Sequence, residues 1–230
     1  MLRKDVGFLK YRKIIKDASG FIYNDHETGR MIKLDKDCAD DMIKKYGVSV
    51  LSSKINENQI SELSKKQISI NNTSLPSGVM YFNNIPVGVI YPRFYNGYNT
   101  FEELYKEEPS LIIKNLKKAY YNNMELINND ICNKDFSFKN IMYKNDDVRL
   151  IDLDGKMIGN RINSTYTQLY YYYLEGIYYC IKKRLELLYG DKSKEIVKEL
   201  KSFILSELSN IKIDTPLYII DEIEKKKILK

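Results

Sequence analysis

The chain has 230 residues, 43% of them hydrophobic and 30% charged, with a formal net charge of +6 at pH 7. That content can bury a core in one or two compact units, and the mixing of both charge signs along the chain excludes wholesale disorder. The mild positive excess helps attract polyanions such as nucleotides, but no basic stripe with interleaved aromatics marks a nucleic-acid surface.

The three cysteines, Cys38, Cys132 and Cys180, are far apart and the only histidine is His26, which excludes a disulfide framework and a zinc site. Cys132 has no nearby histidine to activate it, so a structural role is expected. The N-terminal Met-Leu-Arg-Lys-Asp-Val-Gly lacks the apolar core of a signal peptide. The most apolar stretch, 169–181, is interrupted by Glu175 and is too short to span a bilayer. A cytoplasmic protein with no membrane partner is the expectation.

In chain order, residues 11–15, 20–23 and 30–34 read as three antiparallel strands separated by small-residue turns at 17–19 and 24–29. Residues 37–47 read as a helix, and about 52–67 as a second, with Ile55, Ile60 and Leu63 as its apolar stripe. Residues 79–82 and 85–90 flank Asn83-Asn84, a pair that tolerates the positive φ of a tight hairpin turn. The aperiodic run from Tyr91 to Gly97 is the natural boundary between units, placed here at 1–93 and 94–230.

Thr100-Phe101-Glu102-Glu103 has the form of a capping box for a short helix. Pro109 then opens a long helix to about 128, with Leu111, Ile112, Leu116, Tyr120 and Leu126 inward. Helices follow at about 165–189, 192–210 and from Pro216. The tyrosines at 170–173 and 178–179 read as packing residues.

Between the long helix and the next lies the most informative stretch, 131–155. Asp135 and Asn140 stand five apart in a polar loop. Asn140 opens a strand at 141–143, 144–147 make a turn, and 148–151 return to Asp152. An antiparallel return brings Asp152 back beside Asn140, so that three oxygen-bearing side chains converge. Such a set suits Mg²⁺, with waters and a polyphosphate completing the shell.

These residues resemble the catalytic centre of the protein-kinase-like superfamily. Its pattern is H-R-D-x-x-x-x-N, a hairpin, then D-F-G. Asn133-Lys134-Asp135, Asn140 and Ile151-Asp152-Leu153-Asp154-Gly155 stand in those places. The resemblance implies an α+β, two-lobed fold with a five-stranded antiparallel N-lobe sheet and a helical C-lobe. It implies that Asp135 orients or deprotonates an acceptor hydroxyl, and that Asn140 and Asp152 hold magnesium. Asp154 would add a second metal contact or face solvent. Met31-Ile32-Lys33 stands for V-A-I-K, making Lys33 the phosphate-binding lysine, and Gly20 is what remains of the glycine-rich loop. Glu57 would pair with Lys33, with Glu62 as the alternative. The segment with Tyr91, Arg93 and Phe94 would border the adenine of ATP.

The sequence also departs from the family. Asn133 replaces the histidine, Lys134 the arginine and Ser137 a common lysine. No A-P-E follows, so control through a phosphorylated activation loop is not expected. The implied function is transfer of the γ-phosphoryl of Mg-ATP to a hydroxyl, most simply in a protein kinase-like enzyme whose protein or small-molecule acceptor is unknown. The alternatives are an inactive pseudokinase serving as a nucleotide-binding or scaffold module, and a small-molecule phosphotransferase of the aminoglycoside or choline kinase kind.

Overall fold

The computed structural model describes residues 2–5, 12–17, 20–25, 28–35, 55–66, 73–82, 84–92, 95, 97–132, 137–153, 157–158, 162–208, 212 and 214–229. The expected helix at 37–47 lies outside them. The fold is α+β, and the chain divides into two compact units, 1–96 with 152–154, and 97–151 with 155–230.

Among the described residues the first unit is built on one sheet of six strands: β1 (Leu2–Asp5), β2 (Arg12–Asp17), β3 (Gly20–Asp25), β4 (Arg30–Asp35), β5 (Gly78–Phe82) and β6 (Ile85–Tyr91), with helix α1 (Glu57–Lys66) between β4 and β5. The strand order is β1-β5-β6-β4-β3-β2. All pairings are antiparallel except that of β1 with β5, which is parallel. The five strands expected from sequence are therefore joined by a sixth at the edge. Leu2–Asp5, one leucine followed by three charged residues, has no apolar alternation to mark a strand, and a parallel edge carries no hairpin signal.

Both faces of the central strands are buried. Ile32, Leu34, Met80 and Ile90 fill one side. On the other, Met31, Val79, Tyr81, Val89 and Tyr91 form a cluster with Ile60 of α1, flanked by Ile22 and Ile55. Helix α1 starts at Glu57, several residues later than its pattern suggested, because the Asn56 side chain caps it by accepting from the Gln59 amide (3.1 Å). Gly88 opposes Leu34 in the β4–β6 ladder. A Cβ there would lie 2.6 Å from Leu34 Cδ2 and 2.8 Å from the Lys33 carbonyl, so glycine is what lets these strands approach.

The second unit opens with β7 (Asn99–Thr100), a 3₁₀ turn (Phe101–Lys106) and helix α2 (Pro109–Asn128). The expected capping box does not form: Thr100 makes no side-chain cap and pairs instead with Met142 in a ladder. Strands β8 (Ile131–Cys132), β9 (Ile141–Lys144), β10 (Asp147–Leu150) and β11 (Met157–Ile158) follow. Helices α3 (Ile162–Tyr189), α4 (Lys194–Leu208) and α5 (Thr215–Lys225) complete the unit, with α3 packed against both others. Helix α3 begins at Ile162, three residues before the expected 165. Tyr173, Leu174, Ile177, Ile181 and Leu185 of α3 and Ile219, Ile220 and Ile223 of α5 supply its core. Leu111 of α2 is only half-buried, and the asparagines Asn115, Asn122 and Asn123 are buried in its place.

Candidate functional site

In the first unit the site is built on β4. Lys33 lies opposite Ile22 of β3 and Val89 of β6, so it shares a sheet face with the cluster beneath α1. Its ammonium group is ion-paired with the carboxylate of Asp152, 119 residues further along the chain, and donates to Oδ1. The Lys33 side chain is 11% exposed and that of Asp152 28%, so the charges are only partly screened by water. Asp152 holds a left-handed backbone, φ 59°. Asp tolerates this region better than most residues, and a non-glycine residue kept there signals a local constraint.

Glu57, expected to pair with Lys33, accepts a hydrogen bond from the hydroxyl of Tyr81. Tyr81 is buried on the α1-facing side of β5, within reach of the first turn of α1. No sequence pattern pointed to that tyrosine; a cross-element hydroxyl–carboxylate contact has no local signature. Glu62 is exposed. Tyr91, expected beside the adenine, is fully buried in the sheet–helix cluster, which leaves its backbone rather than its ring for any ligand. Gly20 opens β3, paired with Asp17 and Asp35. Arg93, Phe94, Asp135 and Asp154 lie outside the described residues, as do Asn133 and Lys134.

In the second unit the hairpin forms with the expected register, Lys144 opposite Asp147 and Leu150 opposite Ile141. Asn145 takes the positive φ (52°) that closes its two-residue turn. Asn140 ends a 3₁₀ turn (Phe138–Asn140) capped by the Ser137 side chain, which accepts from the Lys139 amide at 3.2 Å. Its amide donates to the Ser137 carbonyl at 2.9 Å, and its carbonyl accepts from the Ile151 amide at 2.9 Å, so the backbone fixes Asn140 at the open end of the hairpin. A short antiparallel pair, β8 with β11, closes the segment between them by setting Cys132 opposite Met157.

Helix α2 holds the hairpin from behind. Asn115 Nδ2 donates to the Asn145 carbonyl and Asn122 Nδ2 to the Val148 carbonyl, both at 2.9 Å. The spacing of seven puts both amides on one helix face. Lys114 and Lys118 pair with the Asp146 carboxylate at 2.7 and 3.4 Å. Asparagine inside an amphipathic helix is the signal that sequence reasoning passed over.

No family model matches the chain, and no curated protein matches it. Among the described residues no three or more His, Cys, Asp or Glu side chains cluster as a metal site. The Asp152 carboxylate is a hard oxygen donor of the type magnesium takes. Cys180 is buried in α3, and burial pushes its thiol up to about 12, so it is not a nucleophile. No helix among the described residues is long and apolar enough to cross a membrane.

Proposed function

We propose that the chain is a Mg-ATP-dependent phosphotransferase of the protein-kinase-like kind, with a two-lobed arrangement, acting on a hydroxyl of a protein or small molecule. The observation that carries this reading is the Lys33–Asp152 ion pair. The lysine assigned by resemblance to phosphate and the aspartate assigned to metal meet across 119 residues of sequence, and the aspartate is held in a strained backbone state. The helix inserted before the last two strands of the sheet, and a hairpin beginning at Asn140, support it further.

In this reading, as the resemblance implies, Asp152 and Asn140 would hold Mg²⁺, which when bound would neutralise phosphate charge, and Lys33 would bind phosphate oxygens. Asp135 orients the acceptor hydroxyl and takes its proton. Phosphoryl transfer asks little covalent chemistry of a protein; positioning and charge neutralisation supply most of the rate. This small set of groups is sufficient in kind.

The test is thermal unfolding of wild type and Asp152→Asn with ATP, with and without Mg²⁺, followed by transfer to an acceptor panel. A ligand bound only by the folded state at 100 Kd stabilises by ~2.7 kcal/mol. The expected result is a magnesium-dependent upward shift that Asp152→Asn loses, and transfer that Asp135→Ala abolishes. The ion pair also favours a second reading, a nucleotide-binding or scaffold module, because Lys33 occupies the carboxylate that magnesium needs. A nucleotide shift without transfer to any acceptor would select that reading, and no shift at millimolar ATP would remove the phosphotransferase.

A further inference from the structure

We infer that Gly176 of α3 is a positioning residue for the turn that carries Asn140, acting through the ring of Phe138; its catalytic meaning rests on the phosphotransferase reading, its structural part does not. Gly176 lies inside a 28-residue helix, where glycine is less favourable than alanine. A glycine kept at such a position needs a packing reason, and the structure supplies one. A Cβ built on Gly176 would collide with the Phe138 ring, overlapping Cδ1 and Cε1 and lying 2.7 Å from Cζ.

The ring has little room to retreat. Phe138 is buried, with the Phe101 ring edge-on at 5.4 Å and the Tyr173 ring at 5.9 Å. Phe101 is backed in turn by Tyr143 at 5.8 Å, and the Tyr173 hydroxyl is tied to the Leu116 carbonyl of α2. The missing methyl of Gly176 is thus the slot into which the turn is plugged. Phe138 begins the 3₁₀ turn and Asn140 ends it, so displacement of the ring is transmitted over two residues to Asn140. Close-packed interiors pass on such displacements rather than absorb them.

The test is backbone hydrogen exchange on the full chain in four proteins: wild type, Gly176→Ala, Phe138→Leu and the double variant. The amides of Asn140 and Ile151 report the turn, because they close its two hydrogen bonds; those in the middle of α5 report the rest of the unit. Gly176→Ala is expected to speed exchange at Asn140 and Ile151 at least tenfold while α5 is unchanged. In the Phe138→Leu background, where the smaller side chain vacates the slot, the same substitution is expected to change exchange less than threefold. Equal effects in both backgrounds, or none in either, would overturn the inference. If Gly176→Ala does not fold, folding of the double variant supports the slot and failure of both overturns it. Phosphoryl transfer then reads the catalytic part: kcat should fall at least tenfold in Gly176→Ala with KM for ATP within threefold. Should the wild type transfer nothing, the phosphotransferase reading falls and the exchange result alone decides the positioning role.

Discussion

Lys33, in the middle of a strand, is ion-paired with Asp152, which holds a left-handed backbone state. The two features of Asp152 are separable. Asp152→Asn keeps a residue that tolerates positive φ but removes the charge, whereas Asp152→Ala removes the charge and adds a left-handed penalty of roughly 1–2 kcal/mol. Urea unfolding should therefore rank Asp152→Ala below Asp152→Asn by about that amount, at unchanged m-value. Equal midpoints would mean that the backbone at 152 relaxes freely and stores no strain.

Gly88 governs where Lys33 sits. An alanine methyl would press on Leu34 Cδ2 and the Lys33 carbonyl, in a ladder that is buried on both faces. Gly88→Ala should cost about 1–3 kcal/mol, the usual range for overpacking. In the proposed phosphotransferase reading it should also weaken magnesium-dependent nucleotide binding beyond what lost stability explains, since β4 carries Lys33. A variant as stable as wild type would show that β4 and β6 can part without cost.

The buried asparagines of α2 should behave differently from one another. Asn122 donates to the Val148 carbonyl, and deleting the donor leaves a buried acceptor without it. Asn122→Ala should cost about 1–3 kcal/mol. Asn123 is equally buried, yet its Oδ1 accepts no hydrogen bond. Asn123→Leu should therefore be neutral or stabilising by up to about 1 kcal/mol, since an unsatisfied carbonyl gives way to apolar surface. Chemical denaturation of both variants checks the contrast, and a large loss in Asn123→Leu would point to a role that packing does not explain.

Much of this architecture is legible in the sequence where the signal is local. The apolar runs of β5 and β6, the turn at 144–147 and Pro109 at the start of α2 each act over a few residues, and each appears where its pattern places it. The Lys33–Asp152 contact could be anticipated only as two ends of one resemblance. What could not be read is what depends on a distant partner. The choice of Glu57 for Tyr81, the parallel pairing of β1 with β5 and the fit of Gly176 to Phe138 all join elements remote in sequence. Periodicity reports which face is buried and is silent on what meets it.

The polar cluster at the start of β10 gives the second unit a defined pH response. Asp147 accepts from the Tyr98 hydroxyl and is paired with Arg149, Nε to Oδ1 at 2.8 Å. Burial disfavours its charged form, but the Tyr98 hydrogen bond and the Arg149 guanidinium together outweigh it and hold the carboxyl below its ordinary 3.8. The hydrogen bond to Asp147, followed by burial, holds the Tyr98 phenol above its ordinary 10.0. A carboxyl depressed on folding contributes stability that is complete above its unfolded value and is lost as pH falls through the folded one. A phenol raised on folding contributes below 10.0 and loses it as pH rises through the folded value. Stability from this cluster should be flat between roughly pH 5 and 9 and decline outside it on both sides. Tyr98→Phe should lower the plateau, make the acid limb shallower and remove this contribution to the alkaline limb. Urea midpoints measured from pH 2.5 to 10.5 test it, and parallel curves for the two proteins would show that the Tyr98–Asp147 contact contributes nothing to folding.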